Sequence, residues 1–479
     1  MARGAWPLPV RHAVDVPDGA LRPSGTAHVS TLHVLLLTSV FSLVSSAAIG
    51  HDGDLVDSFG SGGVAQMGYT NMTSILGSAA LVGADGSVTY CTTRGTEGHG
   101  DMVVARVHAD GSPDLSFSTD GRFTFDIGGD TDDDCMAITA AGDGRIVVAG
   151  SSYDGDAVSF ALARIKVNGV LDPTFGIGGK QRIGFDVYGS IFSRANAVAA
   201  LDDGRIVVAG YATTDLGRQF VVARLLPDGS YDSAFNLIGR QRVGIGAGAN
   251  AYAMALDAQG RIVLAGAANR GDGVNPNWDM AVARLLPDGS LDAGFGDDGH
   301  ATVAFDIGAD GADHAYAMAI QPDGRIVLAG GANVSATDTG NADFAIARIT
   351  ADGAVDPTFG TGGRVLVPFD LSPGGTDTAA AVRLDASRIV IAGAAWNGTT
   401  SVDAALVRLR ADGSRDPAFG NFGRTLLDLD LPGAGALAFG LGAAGNRLYV
   451  TGVVATTSTI VDAYVAAIES DTLFTDGFE

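Results

Sequence analysis

The chain has 479 residues, of which 69 are glycines, while aromatic residues make up only 7% of it, and this composition favours short strands and tight turns over long helices. Its 54 acidic and 30 basic residues give a formal net charge of −24, which repels phosphate backbones and anionic lipid. We therefore expect no nucleic-acid partner and no membrane insertion.

The first element in chain order is an apolar segment from Leu32 to Ala48. Its length matches the hydrophobic region of a signal peptide, and Ser46 and Ala48 suit cleavage after Ala48. It is too short and too rich in serine to favour a membrane span. We expect residues 1–48 to be a signal peptide region and the protein to be secreted or held at the cell surface, with the periplasm as an alternative. The competing interpretation is a disordered tail with an apolar patch.

From residue 49 to 470 a unit of about 60 residues recurs seven times, with three phrases in fixed order. The first phrase is Asp-x-x-Phe, which begins at Asp114, Asp172, Asp232, Asp292, Asp356 and Asp416, after a compressed copy at Asp57. The second is the strand Arg-Ile-Val-x-Ala-Gly, which begins at Arg145, Arg205, Arg261, Arg325 and Arg388, with degraded copies at Ser87 and Arg447. The third is a strand that ends in Ala-Arg or a near variant, at Arg106, Arg164, Arg224, Arg284, Arg348 and Arg408, with a seventh copy that lacks the arginine.

These phrases predict a four-stranded antiparallel sheet in each unit. The apolar Ile-Val-Val-Ala run indicates a strand that is buried on both faces. The alanine-rich stretch before it, such as 251–256, suits an innermost strand, where sheets crowd around an axis. A Phe-Gly-x-Gly-Gly bend then leads to a fourth strand, for example over 182–187.

The hairpin that joins the third strand to the Asp-x-x-Phe phrase predicts a repeated ion pair. With Asn168 and Gly169 at the centre of a two-residue turn, Ile165 lies opposite Asp172 and Arg164 lies diagonally beside that aspartate. Such a pair fixes the geometry of the hairpin more than its stability, because exposed pairs contribute only about 0.2 to 1 kcal/mol each.

Neighbouring sheets in a ring cover each other's faces, which a single sheet cannot do for itself. The segment after Asp52 matches an outer strand whose partner is missing at the N-terminus, and the segment 462–468 supplies that partner. The predicted fold class is therefore all-β: a seven-bladed β-propeller of four-stranded antiparallel blades, closed by pairing of the N- and C-terminal strands. We expect a monomer.

The phrases DGRIVVAG, ALARI and LDPTFG resemble the bacterial delta-60 repeat family, and the resemblance covers nearly all of residues 49–470. It implies propeller-like repeats but no particular biochemical activity. Residues 471–479 form a short C-terminal tail, similar to the tails of exported bacterial repeat proteins.

Two sets of loops vary in length: the crossovers from the fourth strand to the next first strand, and the loops between second and third strands. Strand alternation places both sets on one side of the ring, where binding residues are expected. The candidate ligand-binding residues are Trp278, Trp396, Asn277 and Asp279, and the candidate ligands are a glycan, a protein or a cell-surface component. The alternative is that each tryptophan only caps its blade.

Two crossovers share a spacing of aspartates that suits a hard cation such as Ca²⁺, which takes six to eight oxygen ligands. The candidate metal ligands are Asp126, Asp130 and Asp133 in one crossover and Asp306, Asp310 and Asp313 in the other. A solvated acidic loop is the alternative interpretation.

Cys91 and Cys135 are the two cysteines of the chain, and the repeat places them in adjacent blades. In an exported protein this position favours a disulfide between blades, and two buried free thiols are the alternative.

Signatures of catalysis are missing from the sequence: no Gly-x-Ser-x-Gly elbow is present, and the histidines after residue 49 are scattered. We therefore favour a non-enzymatic binding protein. A secreted hydrolase or lyase with acidic residues from several blades is the first alternative, since propellers host such enzymes, and a passive envelope component is the second.

Overall fold

The computed structural model describes residues 52–66, 79–96, 99–129, 131–185, 192–271, 276–307, 311–335, 341–372, 374–385, 387–398, 402–427, 429, 434–456 and 460–470. These residues form 28 β-strands and no helix, so none of them belongs to a helix that could cross a bilayer. The expected signal peptide region and C-terminal tail lie outside the described residues.

The strands form seven four-stranded antiparallel sheets, which we call blades 1 to 7. Blade 1 contains β2 (Ala79–Val82), β3 (Val88–Thr96), β4 (His99–Val107) and β5 (Arg122–Phe125). Blade 2 contains β6 (Asp133–Ala140), β7 (Ile146–Tyr153), β8 (Val158–Ile165) and β9 (Lys180–Ile183). Blade 3 contains β10 (Ser193–Ala200), β11 (Ile206–Thr214), β12 (Gly217–Leu225) and β13 (Arg240–Val243). Blade 4 contains β14 (Gly248–Leu256), β15 (Ile262–Asn269), β16 (Trp278–Leu285) and β17 (His300–Val303). Blade 5 contains β18 (Asp313–Ile320), β19 (Ile326–Asn333), β20 (Ala342–Ile349) and β21 (Arg364–Val367). Blade 6 contains β22 (Thr378–Asp385), β23 (Arg388–Trp396), β24 (Val402–Arg410) and β25 (Arg424–Leu426). Blade 7 contains β26 (Ala434–Ala444), β27 (Arg447–Thr456), β28 (Ile460–Glu469) and, from the N-terminal side of the chain, β1 (Val64–Gln66).

The innermost strands contact one another in ring order, and the innermost strand of blade 7 contacts that of blade 1, which confirms the seven-bladed propeller. Closure occurs as predicted, because β1 pairs with β28 and Leu55 bridges Ile468. Two backbone hydrogen bonds extend this junction: Gly53 N donates to Glu469 O at 2.9 Å, and Glu469 N donates to Asp54 O at 2.7 Å.

The core lies between the blades. Val207 and Val208 are neighbours on the second strand of blade 3, yet Val207 packs towards blade 4 and Val208 towards blade 2. Successive side chains of a strand point to opposite faces, so an uninterrupted apolar run fills both interfaces at once. This confirms the prediction that the second strand is buried on both faces.

The third-to-fourth hairpin differs in register from the prediction. Ile165 bridges Leu171, and Asp172 N donates to Arg164 O at 2.8 Å, so Arg164 lies directly opposite Asp172. The turn is a three-residue loop that ends at Gly169 with φ +77°, in place of a two-residue turn. The fourth strand of this blade is also shorter and earlier than predicted, over Lys180–Ile183.

The repeated arginine–aspartate pair is present in six blades. Both partners are buried in four of them, where the sequence suggested exposure, while Arg106 and Asp292 are partly exposed in the other two. Each arginine Nε lies 2.6 to 2.9 Å from its aspartate, in the pairs Arg106–Asp114, Arg164–Asp172, Arg224–Asp232, Arg284–Asp292, Arg348–Asp356 and Arg408–Asp416. The guanidinium also covers the phenylalanine of the same phrase, for example Arg348 over Phe359 at 4.6 Å. Arg348 Nη1 then donates to Ala411 O of the next blade at 2.5 Å, so the pair also joins neighbouring blades.

Candidate ligand-binding face

One side of the ring carries the starts of the first and third strands and the ends of the second strands; we call it the loop face. Trp278 is the first residue of its third strand and Trp396 the last of its second strand, so both lie at strand ends on this face and outside the loops themselves. They belong to blades 4 and 6. The structure therefore does not bring the two tryptophans into one blade.

The loop before Trp278 is closed by a single asparagine. The side-chain oxygen of Asn269 accepts hydrogen bonds from Gly271 N at 2.9 Å and from Asn277 N at 3.1 Å. The side chain of Asn277 lies against Gly311, where a Cβ would overlap its Oδ1 atom. This contact joins the blade 4 loop to the crossover that enters blade 5, and the left-handed backbone of Gly311, with φ +52°, favours glycine there.

Trp278 belongs to an aromatic cluster that crosses blades 3, 4 and 5. Its ring stacks on His314 with centroids 5.8 Å apart, and His314 stacks on Tyr316 at 5.7 Å. Tyr316 contacts Tyr252 at 5.0 Å, and Tyr252 contacts Tyr211 at 6.3 Å. We call Trp278, His314, Tyr316, Tyr252 and Tyr211 the aromatic cluster.

Most of the aromatic cluster is half-buried, and Tyr211 is buried at 9% exposure. Arg218 lies over the Tyr211 ring with its Cζ 5.5 Å from the centroid. Burial raises the pKa of Tyr252 to about 12, so its hydroxyl stays protonated at neutral pH. Since His314, Tyr316 and Tyr252 lie on innermost strands, the cluster extends along the loop face to the ring axis.

Trp396 has a different environment. Its backbone N–H donates to Asp377 Oδ1 at 3.0 Å, and its side chain lies against Gly375, where a Cβ would approach within 2.9 Å of the indole. These contacts tie the end of the second strand of blade 6 to the crossover that enters the blade. Such contacts are expected for a residue that caps its blade, and ligand binding by Trp396 stays a prediction.

Three aspartates converge where blade 1 meets blade 2. Asp101, Asp126 and Asp133 each place one carboxylate oxygen within 4.8 Å of the others. Asp126 Oδ1 accepts from Gly129 N at 2.7 Å, and Asp133 Oδ2 accepts from Ile127 N. Burial raises the pKa of Asp133 to about 6, and the charge of Asp126 adds to this effect. Asp130, the remaining candidate ligand of this crossover, lies outside the described residues.

A second group of aspartates lies where blade 4 meets blade 5, and it includes Asp279, a candidate ligand-binding residue. Burial raises the pKa of Asp279 to about 6, and the charge of Asp306 contributes. Burial likewise raises the pKa of Asp313 to about 6, with contributions from Asp279 and Asp306. The backbone of Asp306 lies beside Asp313, since Asp306 N is 3.4 Å from Asp313 Oδ2, while Asp310 lies outside the described residues.

Asp101 and Asp343 are not among the residues predicted from the sequence, and Asp279 was predicted as a ligand-binding residue but not as a member of an acidic group. Asp101 and Asp279 each lie five residues before the arginine of the third-strand phrase, and Asp343 repeats that position in blade 5. Asp370 and Asp377 repeat the spacing of Asp306 and Asp313 in the next crossover. An alignment of the seven repeats with one another, extended beyond the three recurring phrases, would have revealed that aspartates recur at these positions.

Cys91 on β3 and Cys135 on β6 are joined by a disulfide, with their Cα atoms 5.9 Å apart. Both residues are fully buried. The bond links blade 1 to blade 2 close to the group formed by Asp101, Asp126 and Asp133, since Asp133 and Cys135 lie on the same strand.

Five segments of the chain match the family described as "Domain of unknown function (DUF5122) beta-propeller": residues 141–175, 201–235, 259–295, 321–359 and 387–419. Each segment runs from the end of an innermost strand to the Asp-x-x-Phe phrase of the same blade. The chain is a repeat-built β-propeller. No curated protein matches the propeller sequence.

Solved structures with a similar fold have diverse activities. They include the polysaccharide lyase Uly1, at 12% identity over 84% of this chain and 92% of that chain, with a TM-score of 0.46. Domains 1 and 2 of Drosophila Semaphorin 1a match at 11% identity over 88% of both chains, with a TM-score of 0.45. The NanB sialidase of Streptococcus pneumoniae matches at 9% identity over 85% of this chain and 70% of that chain, with a TM-score of 0.43. Similarities this weak say nothing about what the propeller binds.

Proposed function

We propose that this chain is an exported, non-enzymatic propeller of the delta-60 repeat type that binds a glycan, protein or cell-surface component through its loop face. The observation that carries the proposal is the aromatic cluster around Trp278, which continues from a strand end on the loop face to the ring axis. Aromatic rings offer wide apolar contact surfaces, and tyrosine and tryptophan add hydrogen-bonding groups at their edges. A glycan ring that stacks on Trp278 and His314 is the ligand that this surface suits best.

Export is supported by two features. The disulfide between Cys91 and Cys135 forms and persists in oxidising compartments. The apolar segment from Leu32 to Ala48 has the length of a signal-peptide core. The net charge of −24 favours neutral or cationic partners over nucleic acid.

Replacing Trp278 with alanine tests the binding proposal. We expect the wild-type protein to bind at least one member of a glycan array and the Trp278→Ala variant to lose about tenfold or more in affinity, since a central aromatic contact contributes about 2 kcal/mol or more. Phe422→Ala is the matched control, because Phe422 is 72% exposed but lies in a third-to-fourth bend on the opposite side of the ring. Equal losses in both variants, or no binding by the wild type, would count against the proposal.

The alternative function is a secreted hydrolase or lyase with acidic residues from several blades. It is favoured by the loop-face aspartates Asp133, Asp279, Asp313 and Asp343, since burial raises the pKa of each to about 6, a value suited to proton transfer near neutral pH. Incubation with the glycans that bind separates the two functions. New reducing ends or unsaturated products that disappear in Asp313→Asn would establish the enzyme.

A further inference from the structure

At two junctions between blades, three aspartates occupy equivalent positions on separate strands or loops; at the first junction their carboxylate oxygens converge within 4.8 Å, and at the second Asp306 N lies 3.4 Å from Asp313 Oδ2. One comes from the third strand of a blade, one from the crossover, and one from the first strand of the next blade. The members are Asp101, Asp126 and Asp133 between blades 1 and 2, and Asp279, Asp306 and Asp313 between blades 4 and 5. We call these the 1/2 junction and the 4/5 junction.

Both junctions hold buried carboxylate oxygens that make no well-aligned hydrogen bond. Asp133 and Asp313 are 0% exposed, and Asp279 is 7% exposed. The Oδ1 atoms of Asp279 and Asp313 have no hydrogen-bond donor in the structure, and Oδ1 of Asp133 makes no well-aligned hydrogen bond, although the Ser152 hydroxyl lies near this carboxylate. Oδ2 of Asp313 accepts from Phe305 N at 2.5 Å. A buried carboxylate oxygen beside two more carboxylates is strongly unfavourable unless a positive charge compensates it.

A cationic side chain lies near each junction. Arg94 is opposite Asp101 in the β3–β4 ladder, and Arg270 lowers the pKa of Asp279, although burial and Asp306 outweigh it. At the 1/2 junction, three carboxylates each place one oxygen within 4.8 Å of the others, which concentrates negative charge there.

Other junctions of the same ring show that the fold does not require these acids. Between blades 2 and 3 the corresponding third-strand and first-strand positions hold Ser159 and Ser193, and between blades 3 and 4 they hold Gln219 and Ala249. At these two junctions both positions are neutral, whereas between blades 6 and 7 the third-strand position keeps Asp403 and the first-strand position is Ala436. The fold therefore tolerates neutral residues at both positions.

We propose that the 1/2 and 4/5 junctions are two binding sites for Ca²⁺, each of which joins neighbouring blades through carboxylates of both. Ca²⁺ is a hard cation that takes six to eight oxygen ligands in flexible geometry, so carboxylates from a strand pair and a crossover suit it, with water and backbone carbonyls completing the shell. This inference does not depend on which ligand the aromatic cluster binds.

A third group, Asp343, Asp370 and Asp377 between blades 5 and 6, provides an internal comparison. There the buried Asp377 uses both oxygens, since Oδ2 accepts from Phe369 N at 2.9 Å and Oδ1 from Trp396 N at 3.0 Å. Because both carboxylate oxygens of Asp377 accept a hydrogen bond, we do not expect a Ca²⁺ site at this third group. The expected stoichiometry is two Ca²⁺ per chain.

Calorimetric titration of the chelator-treated full chain with Ca²⁺ tests the stoichiometry. We expect two sites with dissociation constants on the order of 10⁻⁴ to 10⁻³ M, the range of extracellular modules, and a saturable rise in Tm. Mg²⁺, which demands a stricter octahedral geometry, should bind more weakly, and Na⁺ at matched ionic strength should leave Tm unchanged. The absence of saturable heat, together with equal Tm values in chelator and in Ca²⁺, would overturn the proposal.

Two matched substitutions assign the 4/5 site. Asp306 and Asp370 occupy equivalent crossover positions with left-handed backbone, at φ +49° and +50°, which asparagine tolerates well. Asp306→Asn should retain the fold, reduce the stoichiometry to one and leave Tm in chelator equal or higher, because a repulsive charge is removed. Asp370→Asn should keep both sites. If Asp306→Asn still binds two Ca²⁺, or if the two variants behave alike, the site assignment is wrong.

Discussion

At the scale of single residues, the arginine of the third-strand phrase has three partners at once: an aspartate, a phenylalanine ring and a carbonyl of the next blade. Blade 7 lacks this arginine and has Ala467 at that position. Tyr449, which pairs with Ala467 across the ladder, fills the space and meets Phe59 edge-on at 5.8 Å. An aromatic contact thus replaces the cation over the ring, so the degenerate repeat keeps a packed interface.

The buried pair of Arg348 and Asp356 predicts a loss of stability in acid. Burial opposes ionisation of Asp356, but hydrogen bonds from Thr358 and the charge of Arg348 outweigh it and lower the pKa to about 2. Since the folded pKa lies below the unfolded value of about 4, the stabilisation is complete above pH 4 and is lost as the pH falls towards 2. Thermal unfolding between pH 7 and pH 2 should show this decline.

Asp356→Asn should reduce stability by up to about 3 to 5 kcal/mol at pH 7, as removal of one partner of a buried pair does, and the gap to wild type should narrow as the pH falls. Asp323→Asn is the control, because Asp323 pairs with Arg325 at the surface, with 48% of its side chain exposed, and should cost less than about 1 kcal/mol. A gap that stays constant with pH would contradict the predicted linkage.

At the scale of elements, the glycine of the Arg-Ile-Val-x-Ala-Gly phrase has a steric cause. Each of these strands faces an innermost strand with a bulge, for example between Ala315 and Ala317 opposite Gly330. A Cβ at Gly330 would overlap the carbonyl oxygen of His314. The glycine therefore allows the bulge, which turns the innermost strand without breaking the sheet.

Gly330→Ala should lower stability by about 1 to 3 kcal/mol or more, because the backbone that it would meet cannot move without disturbing the ladder. Gly331→Ala is a control at the adjacent position, where the nearest atom to a new Cβ is Thr378 Oγ1 at 3.4 Å, and it should be nearly neutral. Denaturant midpoints of the two variants measure the difference. Similar midpoints would refute the steric explanation.

The hydrophobic periodicity and the turn residues predict the blades well, because the same three phrases recur in each repeat. The hairpin register was less predictable, since Asn168-Gly169 suits both a two-residue and a three-residue turn, and only the ladder distinguishes them. The candidate site was harder still. In the sequence, His314 and Tyr252 look like ordinary strand residues, and nothing links Asp279 to Asp313. These residues become neighbours only because different blades meet around an axis.

At the scale of the whole molecule, closure depends on a short N-terminal segment. Asp52 O accepts from Gly420 N at 2.9 Å, and its carboxylate lies 2.5 Å from Nη2 of the fully buried Arg408. The segment therefore connects blade 6 to blade 7 before its strand completes the outer edge of blade 7.

Removing residues 1–66 should leave blade 7 with an open edge and Arg408 without one of its carboxylates, so we expect a lower Tm and a broader, less cooperative transition. Removing residues 1–48 is the control and should leave the transition unchanged. Calorimetric scans of both truncated chains against the full chain make the comparison. An unaltered transition after the longer deletion would show that closure contributes little to stability.

The pairing of β1 with β28 also sets the order of events in biosynthesis. A ribosome makes β1 first and β28 last, so the two halves of blade 7 meet only when the whole ring has been synthesised. Contacts so distant in sequence form slowly, and until then the earliest strand has no partner. In the finished molecule β1 is paired with β28, but in the nascent chain it stays unpaired for as long as synthesis takes, which makes protection by a chaperone most valuable at the beginning of the chain.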